Sequence, residues 1–367
     1  MQVYAMDDHD PQLDACFMAR AMELAGLGHG LVSPNPLVGC VIALEGRIIG
    51  EGWHRRYGEA HAEVNAIRSV QNNEQLKKSV VYVSLEPCSH HGKTPPCVDI
   101  LIEHGVPKVV VSNFDSNTAV SGHGARKLSA SGIEVITGML EKEGRHLNRR
   151  FFTFVEQRRP YIILKWAQTS DGFIAPANND SRWISDQISR QLVHRWRSEE
   201  DSVLVGTRTA MVDNPRLNVR HWSGRDPVRI VIDRSLRLSN TLHLFDQSQK
   251  TICYNILKNE DNNNLVLVRL DNRNFVREMV EDLYRKNIQS VIVEGGAQTL
   301  DLFISAGLWD EARVFVSRQA FEKGVPAPLL QGNLLREEFV SNDILRFYSP
   351  IGRTIAKSAD IPTASLV

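Results

Sequence analysis

This chain of 367 residues has no excess of either charge: forty-three basic residues balance forty-three acidic ones. No global field draws it to nucleic acid or to an anionic membrane, and neither is expected as a partner. No apolar run approaches the roughly 20 residues that span a bilayer. Cysteine is scarce and odd in number: Cys16, Cys40, Cys88, Cys97 and Cys253 are spread too thinly for a disulfide framework, which points to a reducing cytoplasm. The polar, acidic start through Asp7, Asp8, His9 and Asp10 is unlike a secretory signal. The second half also lacks any G-x-G-x-x-G, so the usual dinucleotide fingerprint is missing.

What is present is a chain long enough for two cores. Strand-like and helix-like segments alternate in both halves, which predicts an α/β layered domain in each. In the first half the pattern predicts strands over 38–43, 47–50, 80–85, 108–112 and 134–137, with a hairpin at Glu45-Gly46, and helices over 61–70, 97–103 and 124–131. Gln157-Arg158-Arg159-Pro160 marks a boundary, giving one domain over 1–150, a linker over 151–159, a second domain over 160–352 and a tail over 353–367. The second domain is expected to carry strands over 161–167, 202–205, 227–233, 251–255, 265–270, 290–293, 312–317 and 344–348. Helices are expected from a cap at Ser185 to about Glu199, over 275–286, and after Gly295-Gly296; 255–264 reads as a polar surface loop.

The chemistry is concentrated in His61-Ala62-Glu63, followed by Pro87-Cys88 and Pro95-Pro96-Cys97. One imidazole and two thiolates are the ligand set of a zinc site whose fourth position is left to water. A metal so held draws the pKa of its water towards neutrality. Glu63, two residues after the histidine, is near enough to move a proton to a departing amine, and hydrolytic deamination of a nucleobase needs these parts. The cysteines of that signature are normally two apart, whereas here residues 89–96 intervene. His90 and His91 lie in this insert and are the candidates for a fourth protein ligand, which would instead make a closed structural site. Both ligand segments begin predicted helices, whose dipoles favour the thiolate of Cys97.

Other residues admit two readings. Asn35, in Ser33-Pro34-Asn35-Pro36, is a turn residue or a fixed amide facing a pyrimidine edge. Gly295-Gly296 is a plain strand-to-helix turn or a set of backbone amides holding a phosphate. Arg197, Arg220 and Arg225 are solvated or bind phosphate. Cys16, Cys40 and Cys253 read as small core residues.

With Pro34-Asn35-Pro36-Leu37-Val38-Gly39-Cys40-Val41, the run Leu85 to Cys97, Lys165-Trp166-Ala167-Gln168-Thr169-Ser170-Asp171-Gly172, Thr209 to Asp213 with Asn214-Pro215, and Val293-Glu294-Gly295-Gly296, the chain resembles the bifunctional riboflavin-biosynthesis deaminase/reductase family along nearly its full length. The resemblance implies a cytidine-deaminase-like three-layer α/β/α domain followed by a dihydrofolate-reductase-like α/β domain. The first would deaminate a phosphoribosylamino-diaminopyrimidinone, with His61, Cys88 and Cys97 holding zinc, Glu63 moving protons and Asn35 facing the substrate. The second would reduce the ribosyl group to ribityl with NADPH, lined by Ala167, Trp183, Thr209, Asp213 and the loop Gly296, Ala297, Gln298 and Thr299. Ser181, Arg197, Leu217, Arg220 and Glu294 would face its substrate, the arginines taking the phosphate; Lys165, Asp171 and Glu294 are candidate proton donors. A homo-oligomer, dimer or tetramer, is expected. The chain departs from the family at Asp115-Ser116-Asn117-Thr118, at Thr169-Ser170, and at Arg234, where a small residue contacting the cofactor is common. The rival readings are a deaminase acting on nucleic acid, which would need a basic groove, and a binding protein built around a four-ligand zinc.

Overall fold

In this computed structural model the described residues are 11–89, 95–116, 121–177 and 184–352. His90, His91, Ser181, Trp183 and the tail lie outside them. The chain forms two compact units, divided between Gln157 and Arg158.

The first unit contains α1 (Pro11–Gly26), β1 (Gly39–Leu44), β2 (Arg47–Trp53), α2 (Ala62–Ser69), β3 (Val80–Leu85), α3 (Cys97–Glu103), β4 (Lys108–Asn113), α4 (His123–Ala130), β5 (Glu134–Thr137), α5 (Glu141–Leu147) and α6 (Arg149–Gln157). Its sheet runs β2-β1-β3-β4-β5; β1 is antiparallel to both neighbours, and β3, β4 and β5 are parallel. The β1–β2 turn puts Glu45 at φ 50° and Gly46 at φ 73°, the left-handed pair that suits the twist of a two-residue hairpin.

Alternation along the strands sorts their side chains onto two faces. Val41, Tyr82 and Val110 meet Phe17, Met18, Ala21 and Leu24 of α1. Cys40, Ile42, Val81, Val83, Val109 and Val111 meet the apolar sides of α2, α3 and α4. Helices cover both faces, which is the three-layer arrangement, and each buried Val or Leu contributes roughly 1.5–3 kcal/mol. α1 lies so close to β1 that a Cβ on Gly39 would sit 1.9 Å from the carbonyl oxygen of Ala21.

The second unit contains β6 (Tyr161–Gln168), β7 (Phe173–Pro176), α7 (Gln187–Glu199), β8 (Ser202–Gly206), α8 (Thr207–Asp213), β9 (Val228–Ile232), β10 (Thr251–Asn255), β11 (Glu260–Asn262), β12 (Leu265–Arg269), α9 (Phe275–Arg285), β13 (Ser290–Val293), α10 (Ala297–Ser305), β14 (Glu311–Val316), β15 (Gly324–Pro326), β16 (Gly332–Val340) and β17 (Asp343–Pro350). The large sheet runs β11-β12-β10-β9-β8-β13-β6-β14-β17-β16. Its stretch from β12 to β14 is parallel, while β11, β16 and β17 pair antiparallel at the two ends. Apolar residues occupy both faces of the parallel strands, as in a sheet covered on both sides. Ile162, Leu164, Leu204 and Val293 pack with α9 and α10; Tyr161, Ile163, Val203 and Ile292 pack with α7.

Several expectations are corrected. Residues 151–157, read as linker, belong to α6, and Phe151 and Phe152 are buried with Leu85. Cys16 is exposed on the outer side of α1 rather than in the core. The loop 255–264 contains β11, an exposed edge strand. The cap of α7 is Asp186, which accepts from Ser189 N at 2.8 Å, not Ser185. The sequence reading omitted α1, α5, α6, α8, β7, β15 and β16 altogether.

Because the approach at Gly39 is backbone to backbone, Gly39→Ala is expected to destabilise the first unit by at least about 1–3 kcal/mol. Urea unfolding followed by circular dichroism measures this; an unchanged midpoint would show that α1 does not rest on β1.

Candidate active sites

Three chain elements end at one point in the first unit. His61 caps the N-terminus of α2, Cys88 follows the end of β3, and Cys97 opens α3 behind Pro96. Their donor atoms lie within 4.8 Å of one another. His61 Nδ1 is 3.3 Å from Cys97 Sγ and 3.5 Å from Cys88 Sγ, spacings that suit ligands of one tetrahedral zinc. Among the described residues no fourth His, Cys, Asp or Glu joins this group. The first amide of α3 donates to Cys88 Sγ at 3.3 Å, so the helix start serves the Cys88 sulfur and not, as expected, that of Cys97. Hydrogen bonding from Cys97, with further help from His61, draws the Cys88 thiol down to about 4 against the effect of burial.

A cavity of about 360 Å³ opens beside this triad, lined by Asn35, His54, His61, Glu63, Glu86 and Cys88 among others. Glu63 is only 3% exposed, and burial, followed by the nearby Cys88 sulfur, pushes its carboxyl up to about 7. A carboxyl so placed can both take and give a proton near neutrality. Asn35 donates from Nδ2 to His54 Nε2 at 3.1 Å, and His54 Nδ1 faces Ala60 O at 3.2 Å. Burial lowers the His54 pKa, which favours the neutral ring with Nδ1 protonated and Nε2 accepting. The amide orientation of Asn35 follows from that tautomer, leaving Oδ1 as its acceptor for a ring N–H.

Sequence reasoning passed over two residues here. His54 carried no signal beyond following a strand. Glu86, inside the quoted Leu85 to Cys97 run, accepts from Gly122 N at 2.9 Å, Ala125 N at 3.1 Å and Asp115 N at 3.3 Å. This buried carboxylate ties the start of α4 and the chain after β4 to the cavity wall.

In the second unit a cavity of about 610 Å³ lies over the ends of β8, β9 and β13 and is lined by Thr209, Asp213, Gly296, Ala297, Gln298 and Thr299 among others. Six of the eight residues assigned to the cofactor therefore share one wall. Trp183 is outside the described residues, and Ala167, at the end of β6, is not part of the lining but packs on the core. The glycine pair has two jobs. A Cβ on Gly295 would meet Thr299 Cβ at 2.5 Å, so that glycine is required by packing. The Gly296 amide donates to Thr209 Oγ1 at 3.0 Å and is not free for phosphate; the first-turn amides of α10 remain for that role.

The residues assigned to the second substrate form another group. Arg197 donates from Nε and Nη2 to the two oxygens of Glu294, both at 2.8 Å, and from Nη1 to Asn218 O at 3.3 Å. Three of its five N–H donors are thus used within the protein, and one N–H on each of Nη1 and Nη2 is not accounted for by these bonds. Lys165 Nζ stands 3.6 Å from Glu294 Oε2. Burial raises the cost of the Glu294 charge, yet Arg197 and then Lys165 hold the carboxyl down to about 2. Burial also lowers the Lys165 pKa, with Glu294 opposing. Leu217 is 1% exposed in the core at φ 53°, so its side chain does not face a ligand. Arg220 is exposed and bonds Asn218 Oδ1 at 2.7 Å, which leaves it as the cation of this group presented to solvent. Arg225 pairs with Asp201 at 2.6 Å and is structural. Asp171 accepts from Thr169 Oγ1, Phe321 N and Glu322 N and holds a turn.

Residues 11–113 match the cytidine and deoxycytidylate deaminase zinc-binding region, and residues 160–318 match the RibD C-terminal domain. The riboflavin biosynthesis protein RibD of Aquifex aeolicus (strain VF5) is 39% identical over 320 residues, covering 86% of this chain and 89% of that protein. RibD of Escherichia coli (strain K12) is 36% identical over 323 residues, covering 83% and 87%. Among solved structures, a diaminohydroxyphosphoribosylaminopyrimidine deaminase/5-amino-6-(5-phosphoribosylamino)uracil reductase from Thermotoga maritima is similar with a TM-score of 0.86 and 38% identity, over 93% of this chain and 100% of that one. Acinetobacter baumannii RibD gives a TM-score of 0.85 and 32% identity, over 93% and 99%. With a zinc-type triad beside a buried glutamate in one unit and a glycine-turn cavity in the other, the chain belongs to the RibD family, the bifunctional deaminase/reductases of riboflavin biosynthesis.

Proposed function

We propose that the first unit hydrolytically deaminates a phosphoribosylamino-diaminopyrimidinone and that the second reduces the ribosyl group of the resulting phosphoribosylaminouracil to ribityl. The observation that carries this reading is Glu63, buried in the same cavity as His61, Cys88 and the Asn35 amide.

His61, Cys88 and Cys97 would hold a zinc ion, which would supply Lewis acidity to activate water near neutral pH. The chain's own contribution is proton movement and positioning. Glu63 takes a proton from the water and returns it to the leaving amine, so that ammonia departs and a carbonyl remains. Asn35, fixed by His54, offers its amide to the pyrimidine edge. With about 360 Å³ available, the cavity has room for a pyrimidine ring.

In the second unit NADPH supplies a hydride when bound. Reduction at the ribose C1 consumes one further proton. Lys165 is the residue that gives it: it is buried, its ammonium is poised by Arg197 and Glu294, and Asp171 is occupied elsewhere. Glu294 keeps Lys165 oriented, and Arg220 meets the substrate phosphate. Ser181 and Trp183 complete the assignments by resemblance alone.

A homo-oligomer, dimer or tetramer, working in the cytoplasm completes the reading. Strand β16 is the edge of the large sheet and leaves Leu334 and Phe339 exposed, and the cysteines are free thiols. No helix among the described residues is long and apolar enough to cross a membrane.

Glu63→Gln is expected to keep one zinc per chain by metal analysis, to lower ammonia release by about 10²-fold or more, and to leave NADPH oxidation with the deaminated substrate unchanged. Ammonia release at the normal rate would refute the role of Glu63. Arg197→Met leaves Glu294 buried with Lys165 as its remaining close cation, at a cost of about 3–5 kcal/mol. Glu294 is depressed in the folded chain, so its contribution is present above its ordinary value of 4.5 and is lost as the pH falls towards 2. Denaturant unfolding of the variant at neutral pH measures the loss; wild-type stability would show that the pair does not secure this site. Phe339→Glu is expected to lower the sedimentation coefficient to that of a single chain, and an unchanged value would remove β16 as the subunit contact.

A further inference from the structure

Arg220 lies between α8 and β9, outside any helix or strand, and its side chain is exposed. A long cation on a free loop samples many positions and loses that freedom whenever it grips an anion. The main chain beneath Arg220 is not free. Leu217 is buried in the core, the Asn218 carbonyl accepts from Arg197 Nη1 at 3.3 Å, and the Val219 amide donates to Asp226 Oδ1 at 2.7 Å. The Arg220 amide then donates to His194 Nδ1 at 3.2 Å. We propose that His194 is a positioning residue of the reductase site, whose ring nitrogen holds the main chain of Arg220 so that the guanidinium is placed for the substrate phosphate. The proposal rests on the assignment of Arg220 to that phosphate given above and names the residue that sets its place.

His194 belongs to α7, is only 4% exposed, and precedes Arg197 by three residues, so the two side chains leave the same face of the helix. That face of α7 therefore grips Glu294 through Arg197 and the 218–220 segment at two points, one carbonyl and one amide. A backbone amide can only donate, so the Nδ1 that faces it carries no proton. Burial, and then the charges of Arg197 and Arg220, keep the imidazole neutral by lowering its pKa to about 4. The His221 ring meets it edge-on, with centroids 5.0 Å apart and planes at 81°, a contact that limits rotation of the ring.

The sheet has its own hold on α7, which packs on it through Val193 and Trp196, and Leu217 enters the same core. What the His194 bond adds is the position of Arg220. The Arg220 side chain turns back on the segment so held, donating from Nη1 to Asn218 Oδ1 at 2.7 Å, and its other N–H groups face outward for an anion. A fixed guanidinium meets a phosphate with less ordering left to do, so the bond from His194 to the main chain appears in substrate affinity rather than in the hydride step.

The test is steady-state NADPH oxidation by the full-length protein with 5-amino-6-(5-phosphoribosylamino)uracil, in the wild type, His194→Leu, His194→Asn, Arg220→Met and the double variant of His194→Leu with Arg220→Met. His194→Leu is expected to raise KM by about 5- to 20-fold with kcat within about threefold. His194→Asn, whose Oδ1 falls where Nδ1 stands, is expected to stay within about threefold of the wild type in both. Arg220→Met raises KM by itself, and adding His194→Leu to it is expected to change KM by less than about twofold more. An unaltered KM in His194→Leu, an asparagine variant no better than the leucine one, a loss carried mainly by kcat, or multiplying losses in the double variant would each overturn the proposal while Arg220 keeps its role. An unaltered KM in Arg220→Met would overturn the phosphate assignment and the proposal together. Should His194→Leu not fold, His194→Gln, which stays polar but carries its oxygen past the Arg220 amide, is read against His194→Asn by the same ratios.

Discussion

The deaminase centre depends on how tightly α2 lies against β2. A Cβ on Gly52 would stand 2.3 Å from Ala66 N and 2.5 Å from Ala62 O, so only glycine lets the first turn of that helix sit where it does. That turn carries His61 as its cap and Glu63 inside it. Any outward shift of α2 would move the imidazole from the two sulfurs and the carboxyl from the cavity together. The opposite side of the site is also tied to main chain, since Cys88 Sγ receives the first amide of α3 and Glu86 accepts two amides at the start of α4 and one after β4. The triad is therefore held by backbone contacts before any ion binds.

Glu63 in the first unit and Glu294 in the second are both removed from solvent beside the chemistry, and the surroundings push the two in opposite directions. Glu63 has burial and a neighbouring sulfur, with His61 as the opposing cation, and its carboxyl rises to about 7. Glu294 is just as buried, yet Arg197 grips both of its oxygens and Lys165 stands nearby, so it falls to about 2. The first can exchange a proton in the working range; the second cannot and acts as a fixed negative charge. The same residue type is a proton carrier in one site and an anchor in the other. The difference lies in whether a guanidinium is within reach.

Much of this was readable from the chain. The limits of β3, β5, β10 and β13 follow from short β-branched runs closed by turn residues, the start of α3 from the prolines ahead of it, and the zinc-type ligands from their order and from the strand that delivers Cys88. The omissions have physical causes. β16 alternates weakly because both its faces are largely exposed, and α6 hides its three phenylalanines among charged residues next to a stretch that reads as a linker. Leu217 was placed by position, and position does not say where a side chain points: it is turned into the core. His54 could not be found at all, because its role exists only through the Asn35 amide nineteen residues earlier.

Both units place their chemistry where parallel strands end and helices begin, although their sheets differ in size and order. There the chain offers unpaired amides, positive helix ends and loops that carry little of the core. A substitution in such a loop changes which anion fits without disturbing the sheet beneath it. Arg234 illustrates this: Ile232, just before it, is locked in the β9 ladder against β8, while the guanidinium two residues on rests on an aromatic ring outside the sheet. The scaffold can therefore keep its reaction while the chemistry of the rim decides what reaches it.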